Sequence, residues 1–203
     1  MIVIGLTGGI ACGKSTVAKF IQQELKIPVI DADQVSREIV QPKEQGLLEI
    51  IERFGAQILN PDGTLHRKKL GTIIMGDEQA RKDLMRITHP KIAMRIMQKL
   101  SVLKQSGHQV AAVEAALMVE NGSHKQYHGL LVVSCSQQTQ LKRLMNRENF
   151  DEQQAQNWID SQFPLREKEK VADWVLKNDG DLESLKKEIL SNWESFIDTL
   201  SAP

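Results

Sequence analysis

Short runs of apolar residues, each bounded by turn-forming residues, recur along the chain and predict β-strands. They cover Ile2–Leu6, Pro28–Asp31, Val110–Glu114, Leu130–Ser134 and Trp174–Leu176. The apolar residues are consecutive rather than alternating with polar ones, which is typical of strands covered on both faces. The pattern therefore predicts a five-stranded parallel sheet flanked by helices.

Between these runs, apolar residues recur with helical spacing. They predict helices over Thr16–Leu25, Lys82–Leu103 and Leu182–Leu200. The second helix contains His89-Pro90, where we expect the proline to end or kink it, because proline has no amide proton and its ring clashes with the preceding turn. The alternation of strands and helices indicates an open α/β sheet with right-handed crossovers.

Two charged segments with few strand signals, residues 60–105 and 137–170, are predicted to be helical excursions from the sheet. The remaining residues, 1–59, 106–136 and 171–203, would then form the core of one domain. The sequence contains neither an internal repeat nor a low-complexity linker, which agrees with a single core.

The amino-acid composition argues against several classes of binding partner. The chain has 26 basic and 26 acidic residues, and a net charge of zero argues against a protein that coats nucleic acid. The two cysteines, Cys12 and Cys135, make no disulfide framework, and no apolar run approaches the ~18 residues of a membrane span. We therefore expect a cytoplasmic protein that binds small molecules, without nucleic-acid or membrane partners, as a monomer or weak homo-oligomer.

The sequence GLTGGIACGKST, residues 5–16, lies between the first predicted strand and the first predicted helix. It contains G-x-x-x-x-G-K-S, from Gly8 to Ser15. Glycines let successive N–H groups point into one concavity, and the helix N-terminus adds unpaired amides and a positive dipole end. The motif predicts a phosphate loop, with Lys14 on the β- and γ-phosphates of a nucleotide, Ser15 on Mg²⁺ and Thr16 on the α-phosphate. The alternative is a plain glycine turn with an exposed lysine.

Cys12 lies within this loop, near backbone amides and a lysine. Such surroundings lower the pKa of a thiol, so one hypothesis is that alkylation of Cys12 inhibits the protein and that ATP protects it. The alternative is that Cys12 is a small residue without a role.

The end of the second predicted strand suggests the class of reaction. The chain contains neither D-x-x-G nor N-K-x-D, which disfavours a switch GTPase. Instead, Asp31 and Asp33 lie two apart on a segment expected to be extended, at the sheet edge that also carries the glycine loop. Either carboxylate could orient or deprotonate a hydroxyl, and Arg37, at the start of a helix, could pair with Asp33 or bind a substrate phosphate. The alternative is an acidic N-cap with a surface ion pair.

Further blocks complete a pattern that resembles the dephospho-CoA kinase family. They follow the glycine loop in the family's order and read VIDADQVSREIV, FGAQILNPDGTLHRKKL, THPKI, VEAALMVEN, LLVVSCSQQTQLKRLMNR and ADWVLKNDG. The resemblance implies a P-loop fold like that of the nucleoside monophosphate kinases, with residues 60–105 on the substrate side and 137–170 as a lid. It also implies ATP-dependent phosphorylation of the ribose 3′-hydroxyl of dephospho-CoA, the last step of coenzyme A synthesis.

The resemblance also implies a role for each matching position. Asp33 would accept the proton of the 3′-hydroxyl, Ser15 would bind Mg²⁺, and Lys14, Asp33 and Arg143 would be catalytic. The positions that match the family's ATP site are Gly8, Gly9, Ala11, Cys12, Gly13, Lys14, Ser15, Thr16, Arg143, Arg147 and Asn178, and those on the acceptor side are Asp33, Arg37, Arg67 and His89.

Arginines suit these positions because planar guanidiniums neutralise the spread charge of a transferred phosphoryl group. For Arg143 and Arg147 the alternative is a solvated helix face. For His89 the alternative is a helix-breaking His-Pro junction.

The chain departs from the family pattern in three places. Ala11 and Cys12 stand where Gly-Ser is usual, and an alanine at this point is expected to need a negative φ. His66 replaces a frequent acidic residue before Arg67. Glu114 begins Glu-Ala-Ala where many members have Asp-Val-Pro, so it would either hold Mg²⁺ through water or only cap the strand.

Two other functions are compatible with the glycine loop. One is a kinase for a different small acceptor, such as a nucleoside monophosphate or shikimate. The other is a nucleotide-binding regulatory module without turnover, against which the retention of Lys14 and Asp33 argues.

Overall fold

The computed structural model describes residues 1–201. Its strands and helices, in chain order, are β1 Ile2–Gly8, α1 Lys14–Gln23, β2 Val29–Asp31, α2 Ala32–Glu38, α3 Gln45–Phe54, α4 Arg67–Gly76, α5 Glu78–Gln105, β3 Val110–Glu114, β4 Gly129–Ser134, α6 Gln137–Glu148, α7 Glu152–Asp160, α8 Leu165–Glu169, β5 Trp174–Lys177 and α9 Leu182–Ser201. Short 3₁₀ helices lie at Ala56–Ile58 and Ser123–Gln126.

The five strands form one sheet in the order β2-β3-β1-β4-β5. In the central strand β1, Ile4 lies opposite Ala112 of β3 and opposite Gly129 of β4, and both ladders are parallel. Strand β4 also pairs in parallel with β5. The predicted five-stranded parallel sheet is confirmed, because long consecutive apolar runs report burial on both faces directly. The carboxyl ends of these parallel strands share one edge, and the glycine loop leaves β1 at that edge.

The core fixes the two elements on either side of the glycine loop. Ile4 and Leu6 of β1 are fully buried, as are Val17 and Ile21 of α1, and they belong to one apolar cluster. Helix α9 closes this cluster with Trp193 and Phe196, which pack with Trp174 of β5, the three ring centroids lying 5.2 to 6.5 Å apart. Because close-packed interiors have little room to shift, the loop is held at both ends.

The chain divides into two compact units, residues 1–30 together with the segment from 103 onward, and residues 31–102. The unit 31–102 is helical, and its buried side chains include Val35, Ile50 and Leu70. The proposed roles of 60–105 as the substrate-binding insertion and of 137–170 as the lid stay predictions. No helix within residues 1–201 is both long enough and apolar enough to cross a bilayer.

Helix α5 runs through Pro90, so of the two expected outcomes the end of the helix is wrong, and the kink stays a prediction. Proline removes the hydrogen bond to the carbonyl four residues earlier, and its ring crowds that carbonyl. His89 and Pro90 are both exposed, so water can solvate the carbonyl. Beyond the proline, ion pairs hold the helix to preceding parts of the same unit. The pairs are Lys91 with Glu49 at 2.6 Å, Arg95 with Glu44 at 2.9 Å and Lys99 with Glu38 at 2.9 Å.

Candidate phosphate-binding site

The loop that follows β1 depends on glycine at two positions. Gly13, the N-cap of α1, has φ 94° and ψ 19°, in the left-handed region that other residues rarely adopt. A Cβ at Gly13 would also overlap the side-chain amide of Asn178. At Gly9, a Cβ would lie 2.7 Å from Nε2 of Gln140 and 2.9 Å from Sγ of Cys12. The glycines therefore serve close packing around the loop as well as backbone freedom.

The start of α1 offers free hydrogen-bond donors. In the described part of this unit, no acceptor is bonded to the amides of Gly13, Lys14 and Ser15, whereas the amide of Thr16 donates to the carbonyl of Gly13 at 2.9 Å. The side chains of Ser15 and Thr16 are exposed. The first turn contains no acidic residue, so the positive end of the helix dipole is not neutralised locally. This arrangement suits an anion with several oxygens, such as a phosphate chain.

Lys14 and Glu114 form an ion pair beside these donors. The distance from Lys14 Nζ to Glu114 Oε2 is 3.2 Å, and the two side chains are 15% and 11% exposed. Glu114 is the last residue of β3, the neighbour of β1 in the sheet. Its Oε2 is buried and accepts no well-aligned hydrogen bond from the described residues. The ammonium group of Lys14 is therefore the charge that compensates this carboxylate.

The same carboxylate fits a bound Mg²⁺. The buried Oε2 of Glu114 and the exposed hydroxyl of Ser15, the residue after Lys14, are oxygen ligands of the kind that this hard cation prefers. Among residues 1–201, no three His, Cys, Asp or Glu side chains cluster as a complete metal site. A cation here would need water and phosphate oxygens in addition to the protein groups, which is how Mg²⁺ is commonly held with nucleotides.

Ala11 has a φ of 59°, so the expectation of a negative φ was wrong. The amide of Cys12 donates to the carbonyl of Gly9 at 3.2 Å and closes a tight turn around Ala11. A side chain in the left-handed region costs roughly 1–2 kcal/mol. The loop tolerates this strain because the packed strand and helix on either side leave the turn no other path.

Cys12 is fully buried, and its Sγ lies 3.3 Å from Sγ of Cys135. The hydrogen bond to Cys135, and then burial, raise the pKa of Cys12. The same hydrogen bond is the main reason that the pKa of Cys135 is lowered. The prediction of an acidified thiol at Cys12 was therefore wrong, because its side chain packs into the apolar core while only its backbone belongs to the loop.

Asn178 holds the loop from the end of β5. Its side chain is buried, and Nδ2 donates to the carbonyl of Cys12 at 2.8 Å. Its backbone amide donates to the carbonyl of Ser134 at 2.7 Å, which ties it to β4. The family resemblance predicts a position near the adenine, and that contact stays a prediction. The structure shows a second role for Asn178: its hydrogen bond to the carbonyl of Cys12 stabilises the turn at Gly13.

Arg143 lies on α6, one helical turn before Arg147. It is half-buried, and its charge contributes to lowering the pKa values of both Cys135 and Asp179. Cys135 is in turn in contact with Cys12 of the loop. Arg147 is exposed and pairs with Glu148 at 2.8 Å.

The N-terminus of α6 is fixed by Asp179. Its carboxylate accepts hydrogen bonds from the hydroxyl of Thr139 at 2.7 Å and from the amide of Ser136 at 2.8 Å. The hydrogen bond from Thr139 is the largest cause of the lowered pKa of Asp179, and the hydrogen bonds from Ser136 lower it further. The helix that carries Arg143 is thereby anchored to the end of β5.

Two glutamines that the sequence analysis missed bind the backbone of the loop. Nε2 of Gln140 donates to the carbonyl of Ile10 at 2.9 Å, and the amide of Ile10 donates to Oε1 of Gln162 at 3.2 Å. Gln140 is buried. A glutamine carries no motif of its own, so only its position on the buried side of an amphipathic helix could have drawn attention to it.

In the unit 31–102, Asp31 and Asp33 have different roles. Oδ1 of Asp31 accepts hydrogen bonds from the amides of Asp33 at 2.8 Å and Gln34 at 3.1 Å, so Asp31 is the N-cap of α2. Asp33 is exposed in the first turn of this helix, so the expected extended segment was wrong. The helix starts early because Asp31 itself caps it. Arg37 lies in the last turn of α2 and not at its start.

Arg37 and Arg67 lie close enough for their charges to interact. Burial, and then the neighbouring guanidinium of Arg37, lower the pKa of Arg67. The ion pairs formed within residues 31–102 use neither arginine. His66 caps the helix that Arg67 begins, its Nδ1 accepting the amide of Lys69 at 3.2 Å. Two adjacent cations without a carboxylate from their own unit favour an anionic ligand.

Comparison with known proteins identifies the family that this chain resembles in sequence and fold. Residues 2–184 match the model of the dephospho-CoA kinase family. A dephospho-CoA kinase of Syntrophotalea carbinolica is 40% identical over 203 residues, which is 100% of this chain and 96% of that protein. Among solved structures, TT1252 from Thermus thermophilus has a TM-score of 0.80 at 29% identity, covering 96% of this chain and 97% of its own. A dephospho-CoA kinase from Campylobacter jejuni has a TM-score of 0.64 at 28% identity, with 96% of each chain covered.

Proposed function

The chain belongs to the dephospho-CoA kinase family of phosphotransferases, and we propose that it transfers the γ-phosphoryl group of ATP to the ribose 3′-hydroxyl of dephospho-CoA. The observation that carries this proposal is the start of α1, where free amides of Gly13, Lys14 and Ser15 surround a partly shielded lysine. Such a cradle binds a phosphate chain through its backbone, so nucleotide binding does not depend on a particular base.

Lys14 and Glu114 would exchange partners when the nucleotide binds. The ammonium group of Lys14 would leave the carboxylate for the β- and γ-phosphates, and Glu114 would then face the cation that accompanies ATP. Ser15 and, through water, Glu114 would hold Mg²⁺, which supplies positive charge to the phosphate oxygens when bound. Lys14 begins α1 at the end of the loop that follows β1, and Glu114 ends the adjacent strand β3, so the proposed exchange takes place between groups already in contact.

On the acceptor side, Arg37 and Arg67 are proposed to bind the diphosphate of dephospho-CoA. The support is their proximity without a carboxylate from residues 31–102. His89, exposed on α5, is assigned to the same side on the family pattern.

Asp33 is the proposed base. Of the two early aspartates, Asp31 is committed to capping α2, which leaves the exposed carboxylate of Asp33 available. As the 3′-oxygen attacks, its proton passes to Asp33, a bond forms from that oxygen to the γ-phosphorus, and the bond from the γ-phosphorus to the bridging oxygen breaks. ADP leaves with that electron pair, while Lys14 and Arg143 neutralise charge on the transferred group.

A coupled assay with ATP and dephospho-CoA tests the proposal. The product should gain one phosphate by mass, and phosphorus NMR should place it on the 3′-oxygen. Nucleoside monophosphates and shikimate serve as competing acceptors and should be poorer by orders of magnitude in kcat/KM. ATP binding without transfer to any acceptor would support the regulatory-module alternative instead.

The proposal also covers the cellular compartment, the binding partners and the oligomeric state. We assign the reaction to the cytoplasm, with ATP and dephospho-CoA as the small-molecule partners and with neither nucleic acid nor membrane involved. A monomer or a weak homo-oligomer is sufficient, because each residue proposed for the chemistry lies on a single chain.

A further inference from the structure

Helix α8 contains a lysine whose side chain is completely buried. Lys168 has 0% of its surface exposed, and no other lysine or arginine within residues 1–201 is as deeply buried. Placing an ammonium group in a protein interior costs several kcal/mol unless it is paired and fully hydrogen-bonded. A methionine or leucine would fill such a position at no such cost, so the contacts of this lysine need an explanation.

The ammonium group of Lys168 reaches the ends of two adjacent strands. It donates to the carbonyl of Ala116 at 2.7 Å and to the carbonyl of Gly8 at 3.4 Å, and it pairs with Oε1 of Glu120 at 2.8 Å. These three acceptors match the three donors of an ammonium group. Gly8 ends β1 and begins the phosphate loop, and Ala116 follows β3 two residues after Glu114.

Both carbonyls therefore adjoin groups that the reaction uses. A shift of Gly8 would move the start of the phosphate loop, and a shift of Ala116 would move Glu114 and with it the ion pair to Lys14. The hydroxyl of Thr7 also donates to the carbonyl of Ala116, at 3.2 Å, which makes this carbonyl a junction between β1, β3 and α8.

Glu120 links Lys168 to the segment just before α8. Its Oε1 accepts the amide of Phe163 at 3.2 Å as well as the ammonium group of Lys168. Its Oε2 is buried and has no hydrogen-bond partner among the described residues. Burying the Lys168–Glu120 ion pair therefore costs desolvation free energy, and close packing around the pair does not offset that cost.

We propose that Lys168 is a positioning residue for phosphoryl transfer, which holds the carbonyls of Gly8 and Ala116 so that the phosphate loop and Glu114 keep their relative placement. Together with Gln140 and Gln162, which bind the backbone of Ile10, it gives residues 137–170 a role in supporting the loop, besides the lid role that the family resemblance predicts. The inference rests on the proposed use of the loop as the ATP site.

The first test compares Lys168→Met with Lys170→Met in steady-state kinetics. Lys170 follows the same helix, is 54% exposed and pairs with Glu167 at the surface, so it controls for loss of a charge nearby. We expect Lys168→Met to lower kcat by roughly 10- to 100-fold, because a misplacement of about 1 Å in reacting groups can cost up to about 100-fold in rate. Lys170→Met should stay within twofold of the unchanged protein.

The second test separates positioning from stability. Lys168→Met alone leaves the Glu120 carboxylate buried without its cation, so the melting temperature should fall. In the double variant Lys168→Met/Glu120→Met both charges are gone, and we expect the melting temperature to recover while kcat stays low. Recovery of kcat together with the melting temperature would show that Lys168 is only a structural partner of Glu120, and it would overturn the proposal.

Calorimetry of the unchanged protein with Mg·ATP completes the design. Absence of binding there would contradict the proposed ATP site itself. Binding and turnover by the unchanged protein, with equal kcat in the double variant, would contradict only the role of Lys168. If Lys168→Met alone does not fold, the double variant carries the test.

Discussion

The ammonium nitrogen of Lys14 lies 3.2 Å from Oε2 of Glu114, and both side chains are largely shielded from water. This ion pair joins the first residue of α1 to the last residue of β3. The carboxylate of Glu114 thus holds the lysine at the phosphate loop. In the proposed reaction, the phosphates of ATP displace that carboxylate from Lys14, and Mg²⁺ then binds the carboxylate.

The first prediction concerns Glu114→Gln. The amide keeps the size of the side chain but no longer competes for Lys14, so ATP without a divalent cation should bind several-fold more tightly. The gain in affinity that Mg²⁺ provides should shrink, because a cation ligand is lost. Isothermal titration with Mg²⁺ and with EDTA measures both affinities. Glu183→Gln, at an exposed ion pair of α9, is the matched control; an unchanged ratio of the two affinities in Glu114→Gln would refute the exchange of partners.

The second prediction concerns Asp33→Asn. If Asp33 accepts the proton, kcat should fall by roughly 10²–10⁴-fold while ATP binding is retained. Asp31→Asn is the matched control, because asparagine caps a helix about as well as aspartate, and it should keep most activity. Stopped-flow or coupled kinetics on both variants decides the assignment. Near-normal turnover by Asp33→Asn would mean that another group takes the proton.

The third prediction concerns Ala11→Gly. Glycine removes the strain of a left-handed φ but makes the unfolded chain more flexible, so the net gain should be about 0.5–1 kcal/mol in the free energy of unfolding. Urea unfolding measures this difference. Ala18→Gly, inside α1, should instead cost about 1 kcal/mol. Equal destabilisation by the two substitutions would contradict the strained turn at Ala11.

The fold was predictable from sequence because its signals are local. Consecutive apolar runs such as Leu130–Ser134 report burial on both faces, and the glycine motif marks the strand-to-helix turn. Helix α5 continues through Pro90 because ion pairs along it hold it in place, whereas the preference of proline for helix ends describes an isolated helix. Tertiary contacts overrode the local preference.

The side chains that hold the loop in place were not predictable from sequence, because they contact it from distant parts of the chain. Cys12 meets Cys135 across 123 residues, and Lys168 meets Gly8 across 160 residues. Neither pair has a spacing that a single sequence can reveal. The groups that touch phosphate are clustered in one motif, while the side chains that hold the motif in place come from distant parts of the chain.

The fourth prediction concerns the thiols. Because Cys12 is fully buried and its pKa is raised by Cys135 and by burial, a maleimide or iodoacetamide should modify it slowly in the folded protein. Mass spectrometry after timed labelling, with urea-unfolded protein as the reference, measures the protection. Rapid labelling of Cys12 that ATP prevents would restore the hypothesis of a reactive loop thiol.

The fifth prediction concerns Arg67→Gln. The side chain lies near Arg37 and has no carboxylate partner within residues 31–102, so its loss should weaken an anionic acceptor and leave the nucleotide unaffected. We expect KM for dephospho-CoA to rise roughly 10-fold or more, as for loss of a charge-assisted hydrogen bond worth about 1.5–3 kcal/mol. KM for ATP should stay within twofold. Arg53→Gln is the matched control, because Arg53 is committed to Asp83 at 2.7 Å and should affect stability without changing KM for the acceptor. A rise in KM for ATP rather than for dephospho-CoA would move Arg67 to the nucleotide side of the reaction.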